Sequence, residues 1–306
     1  MKPTREQAQR RAFTIVELLT VMSIIVILIG LMVPALNKVR RYARDVQQKA
    51  QFNAINAAVE LFNNEFDGYP PSNALDPTGA PYCGAMKLCE ALMGQDLLGF
   101  HSNGVFRRDT LDATGSLTLY PPNIDAMAPA LRDNNLKARK GPYLQAENAN
   151  AWQLEKIYGA NLGAYLGKTF VLCDVYSRQM NSGEKTGMPI LYYRADTANS
   201  YHDPNRLPGS PTAGQVDSGG NIYNYWDNQG LVALGKPWLA GGQSGGVSAN
   251  HKLADIARFY RNTRSEQIRT TERPFRADTF ILISAGWDAE YGTADDICNF
   301  EWRYRE

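Results

Sequence analysis

The segment from Phe13 to Leu36 limits this chain more than any other stretch. It runs for 24 residues with no Lys, Arg, Asp or His, and Glu17 is its one charge. As a helix it is about 36 Å long at 1.5 Å per residue, enough to cross a hydrocarbon core of about 30 Å. A carboxylate inside such a segment costs on the order of 2–3 kcal/mol at mid-depth and less near its end. A single substitution would remove that cost, so Glu17 is by default a functional residue.

Residues 1–12, MKPTREQAQRRA, carry Lys2, Arg5, Arg10 and Arg11 against Glu6, a formal charge of +3. A basic head before an apolar run also fits a secretory signal peptide, but this run is long for one and no small-x-small cleavage site closes it. A plain signal anchor explains the head and the span while leaving Glu17 without a purpose.

The stretch Ala12-Phe13-Thr14-Ile15-Val16-Glu17-Leu18-Leu19 resembles the prepilin N-terminus of type IV pilins and type II secretion pseudopilins. That resemblance implies a leader of residues 1–12, cut by a prepilin peptidase between Ala12 and Phe13, and methylation of the new Phe13 amine. The family usually has Gly where this chain has Ala12, which is also small. It further implies a subunit polymerised through its N-terminal helix, with other pseudopilins and an inner-membrane assembly platform as partners. Glu17 of one subunit would then meet the Phe13 amine of the next, giving each buried charge a partner and penalising a wrong axial step. The implied location is the bacterial inner membrane, crossed once, with the remaining domain periplasmic or extracellular in a filament.

The whole chain has 306 residues, 44% hydrophobic and 21% charged, the composition of a folded protein. Removing the leader leaves 28 Lys plus Arg (32 less 4) against 30 Asp plus Glu (31 less 1), formally −2. This near-neutral balance gives no electrostatic case for a nucleic-acid partner. Lys38, Arg40, Arg41 and Arg44 follow the span directly and could sit against anionic headgroups or filament neighbours. They nearly balance the leader cations, so orientation follows from the resemblance and not from the positive-inside rule.

Beyond the span, Phe52, Ile55, Val59, Phe62 and Phe66 recur at steps of three and four, the stripe of an amphipathic helix over 37–66. Gly30 and Pro34 predict a bend or melted turn. DGYPPS predicts the helix end, with Gly68 as cap and Pro70-Pro71 barring continuation. Short helices are expected over 87–94 and 150–166, and strands over 170–176, 189–195 and 279–285. Residues 202–224 read as loop. Tyr69-Pro70-Pro71, Gly141-Pro142-Tyr143-Leu144 and Met188–Tyr193 again look like the major pseudopilin. The implied fold is α+β: a long N-terminal helix on a small antiparallel sheet in an exported domain, 67–306, with an enlarged variable region over 67–170.

Four cysteines, Cys83, Cys89, Cys173 and Cys298, are disulfide candidates in an exported domain. Cys83 and Cys89 would close a small loop and Cys173 and Cys298 could form a second bridge, although four cysteines allow three pairings and free buried thiols fit as well. The spacing and three histidines, His101, His202 and His251, argue against zinc.

Ser284, Asp288, Glu290, Asp295 and Asp296 crowd one stretch after a strand. Two carboxylates 4 Å apart repel by about 4 kcal/mol at an effective dielectric near 20, so they either splay into water or gather a cation. Calcium suits such a set, and no EF-hand spacing is present. The run resembles the calcium loop of the major pseudopilins, which implies Asp288 and Asp295 as side-chain ligands, with Ser284 and Asp296 as further ones. Gly242-Gln243-Ser244-Gly245-Gly246 matches a nucleophile elbow, with His251 nearby. Its approach, Gly235 to Gly242, contains Pro237 and makes a poor strand, so a small-residue loop explains it better. The reading is a non-enzymatic structural subunit. The other reading is a minor pilin or adhesin-like tip subunit, a membrane-anchored binding module whose enlarged loop region recognises a ligand.

Overall fold

The computed structural model describes residues 14–207, 217–239, 250–266 and 272–301. Ala12, Phe13 and the Gly242–Gly246 motif lie outside them. Helix α1 (Ile15–Phe66) is followed by α2 (Gly84–Met93), β1 (Phe100–His101), α3 (Pro129–Lys137), β2 (Arg139–Lys140), α4 (Ala146–Ala149), β3 (Ala151–Gln153), α5 (Leu154–Tyr158) and β4 (Phe170–Leu172). Next come β5 (Arg178–Gln179), β6 (Lys185–Thr186), β7 (Leu191–Arg194), α6 (Trp226–Val232), α7 (Ile256–Thr263), β8 (Phe280–Ser284) and β9 (Ile297–Cys298). The class is α+β, and two compact units divide at Asp45/Val46, inside α1.

The first unit carries the apolar segment, and every large hydrophobic residue from Ile15 to Leu36 is exposed. Gly30 and Pro34 do not melt it: α1 is helical through both. Pro34 removes one amide and leaves the carbonyl four residues back without its usual donor, and the flanking turns hold.

In the second unit, a three-stranded antiparallel sheet has the order β7-β8-β9. Leu191 pairs with Ile283 and Tyr192 with Leu282, and Ile283 pairs in turn with Cys298. All five residues of β8 are 0% exposed, because both faces of the strand are covered. The period-two rule sends Phe280 and Leu282 to one side and Ile281 and Ile283 to the other. On the first side lie Phe52, Ile55, Val59 and Phe62 of α1, with Leu88 and Leu92 of α2. On the second lie Tyr223, Trp226, Leu231 and Phe259. Phe62 stacks on Phe66 at 4.6 Å and meets Phe100 edge-on at 5.2 Å, so the expected stripe is core.

α1 ends where expected, but Asp67, at φ +54°, takes the left-handed position assigned to Gly68. An Asp tolerates this conformation better than most side chains. The region 150–166 is a strand followed by one and a half turns of helix, because Ala151–Gln153 pairs with Phe170–Leu172 before α5 begins. Two tyrosines of the family-like segments reach the end of α1, the Tyr69 hydroxyl donating to Glu60 at 3.1 Å and the Tyr143 hydroxyl to Glu65. The Tyr192 hydroxyl donates to Pro70 O, just beyond the helix, at 2.7 Å.

Candidate functional site

At the start of α1, Thr14 N and Thr14 Oγ1 both donate to Glu17 Oε2, at 2.9 and 2.8 Å. Glu17 N donates back to Thr14 Oγ1 at 3.2 Å. This is a capping box, in which the carboxylate and the hydroxyl each satisfy amides that the first turn leaves without partners. Sequence reading treats Glu17 as a stranded charge, whereas the structure gives it a local partner first. The T-x-x-E spacing was legible and is the signal that was passed over. One turn beyond Leu36, Lys38, Arg40 and Arg41 are exposed and Arg44 is half-buried.

The acidic stretch forms a tightly tied loop between β8 and β9. Asp288 N donates to Asp295 Oδ2 at 2.9 Å, and the two carboxyl groups are in direct contact. Burial first, and then the neighbouring Asp295 charge, raise the Asp288 carboxyl above its ordinary range. Gly286, at φ +66°, lets this happen: a Cβ there would lie 2.2 Å from the Asp295 carbonyl oxygen.

Ser284 and Asp296, expected as further ligands, are engaged elsewhere. Ser284 Oγ donates to buried Asp174 at 2.9 Å and accepts from Gly286 N at 3.3 Å. The Asp296 carboxylate accepts from Gly292 N at 2.7 Å and from Thr293 N at 3.2 Å. Among the described residues no three His, Cys, Asp or Glu side chains converge as a ready cage. Asp288 and Asp295 are tied into the loop in the same way, Asp288 Oδ1 accepting from Glu290 N at 2.7 Å and Asp295 Oδ1 from the Thr293 hydroxyl at 2.8 Å. A hard cation there would have only the lone pairs these bonds leave, with carbonyl oxygens and water.

Three residues outside the acidic run hold the loop. Asp174, 0% exposed, also accepts from Tyr176 N at 3.2 Å and Met188 N at 3.1 Å, and burial pushes its carboxyl up to about 7. His251 Nε2 lies 3.0 Å from Gly235 O, which requires the Nε2–H tautomer. The bare Nδ1 then accepts from Tyr291 N at 3.2 Å, and burial lowers the imidazole to about 3. Both ring nitrogens of His251 are therefore structural. Lys236 pairs with Glu290 at 2.8 Å. None of the three carries a local sequence signal, because each reaches the loop from a distant part of the chain.

All four cysteines are free, and Cys83, Cys89 and Cys173 are buried. The loop expected between Cys83 and Cys89 is instead the beginning of α2. Six residues of helix rise about 9 Å, beyond the roughly 7 Å limit between bridged Cα atoms. The two side chains accordingly join opposite sides of the core.

No family model matches the chain, and neither a curated protein nor a solved structure is significantly similar to it. What the geometry establishes is a long N-terminal helix, apolar enough at its start to span a membrane, whose C-terminal half packs on a small sheet domain.

Proposed function

We propose that the chain is a structural subunit of a type IV pilin-like filament, of the major-pseudopilin type of type II secretion. A prepilin peptidase removes residues 1–12, the Phe13 amine is methylated, and the helix polymerises with copies of itself and other pseudopilins on an inner-membrane platform. The observation that carries this reading is Glu17: one carboxylate at the head of a membrane-length segment whose every large apolar side chain is exposed. A single helix cannot bury those side chains itself, and lipid followed by neighbouring helices can. Calcium belongs to the same reading, held by Asp288 and Asp295, and would lock the β8–β9 loop.

The tip-subunit reading draws support from the enlarged region between α1 and β4, which is folded and builds a cavity of its own. N-terminal sequencing and mass spectrometry of the membrane-extracted protein test the main reading. A chain beginning at methylated Phe13 supports it. One still beginning at Met1, or cut beyond Leu36, overturns it.

A further inference from the structure

The region between α1 and β4 encloses a cavity of about 500 Å³ lined entirely by residues from Tyr82 to Phe170. Small-molecule pockets run roughly 300–1,000 Å³. Its closed end is set by exposure: Tyr82, Met86 and Glu90 are each 2% exposed or less. Leu166 and Lys168 are exposed at the open end.

Charge is segregated along this axis. At the closed end the Glu90 carboxyl accepts from the Tyr82 hydroxyl at 2.7 Å, and burial pushes it up to about 7. A carboxylate has about four lone-pair sites, so acceptor capacity remains beyond the Tyr82 bond. Lys87, the nearest cation on α2, is turned away and donates to Asn73 O and Leu75 O at 2.7 and 2.8 Å. Asp96, also in the lining, is neutralised by Arg139 at 2.9 Å. The lining's cations are Lys168, which is exposed, and Arg108, which is half-buried and donates to Ala164 O at 2.9 Å. Met86, Phe170, Pro121 and Leu166 supply the apolar part of the lining.

We propose that this cavity binds a small zwitterion, an aminocarboxylic acid whose ammonium seats on Glu90 and whose carboxylate meets Lys168 and Arg108 across an apolar stem. A buried carboxylate favours a cationic donor at the floor, because an anionic head would repel it and a neutral donor would leave its charge uncompensated. The lining's cations add a weaker, solvent-screened preference for the carboxylate. Neither filament assembly nor calcium enters this inference.

Isothermal titration of the full chain in detergent tests it, with 6-aminohexanoate as probe and hexylamine and hexanoate as truncations. Saturable binding of 6-aminohexanoate is expected, roughly fivefold weaker binding of hexylamine, the worth of an exposed ion pair, and none of hexanoate. Glu90→Gln should abolish binding. Lys168→Gln, at an exposed position where folding is not at stake, should weaken 6-aminohexanoate part of the way toward the hexylamine level, Arg108 keeping the remainder. Comparing Nα-acetyl-lysine with its amide separates a free or C-terminal amino acid from an internal lysine of a polypeptide. Equal binding of both would mean that the carboxylate is not read, and would overturn the zwitterion. Absence of 6-aminohexanoate binding, equal binding of hexanoate, or binding unchanged in Lys168→Gln would also overturn the proposal.

Discussion

Thr14 and Glu17 bond to each other in both directions across the first turn of α1. The carboxylate that looks expensive in the sequence is thus solvated by its own helix terminus before any neighbour arrives, and the positive end of the helix dipole favours it there. The local bonds need an acceptor oxygen, whereas pairing with a neighbour's amine needs a charge.

Glu17→Gln separates those two roles. It keeps an acceptor for Thr14 and removes the charge, so insertion should be intact and filament yield in the native host should fall as far as in Glu17→Ala. One stranded buried charge costs about 3–5 kcal/mol per contact. Unchanged yield in both variants would favour the tip-subunit reading.

Calcium should raise the melting temperature of the detergent-solubilised chain relative to chelator. A ligand at a hundredfold excess over its Kd stabilises by about 2.7 kcal/mol. Asp288→Asn and Asp295→Asn should each abolish the difference. Ser284→Ala should lower the melting temperature in both conditions while keeping the difference, because its hydroxyl serves Asp174. Identical melting of the parent chain with and without calcium removes the metal from the proposal.

Acid should weaken the fold through His202. Its Nε2 lies 3.0 Å from Tyr260 O, and burial depresses the imidazole to about 3. A folded pKa below the unfolded value of about 6.5 means that the unfolded chain binds the extra proton. This contribution is complete above about pH 6.5 and falls by about 1.4 kcal/mol per pH unit below it, down to about pH 3. His202→Gln retains a donor at the Nε2 position and cannot titrate. Denaturant melts at pH 7.5 and 5 should therefore show the parent chain losing about 2 kcal/mol relative to the variant, and parallel losses would contradict the assignment.

The stripe on α1 should divide sharply by face. Phe62→Ala is expected to cost about 3–5 kcal/mol and Ile55→Ala about 2–5, since both are buried between the helix and the sheet. Leu61→Ala, at a side chain 54% exposed, should stay within about 0.5 kcal/mol. Urea midpoints of the three variants provide the comparison.

Local periodicity made the helix and the three best strands legible: the stripe from Phe52 to Phe66, and the β-branched and aromatic runs that became β4, β7 and β8. Choices between neighbouring residues, such as Asp67 over Gly68 at the cap, turn on backbone angles that composition does not encode. The start of 150–166 was misread because Ala151–Gln153 is a strand only by virtue of its partner 19 residues later. The acidic loop was visible as a crowd of carboxylates. Which of them remain available depends on Asp174 and His251, whose side chains arrive from 110 and 40 residues away.

The central strand of the sheet is made well after the strand it pairs with. Phe280 pairs with Arg194 across an interval of 86 residues, so the sheet closes only after that interval has left the ribosome. Until then Phe52, Ile55 and Phe62 have no cover on one flank, and a chain halted before β8 would present an adhesive helix to its surroundings. A stop codon anywhere before Phe280 should therefore yield an aggregate or a proteolytic substrate and no shortened subunit. Only chains made through β8 would then reach the folded state.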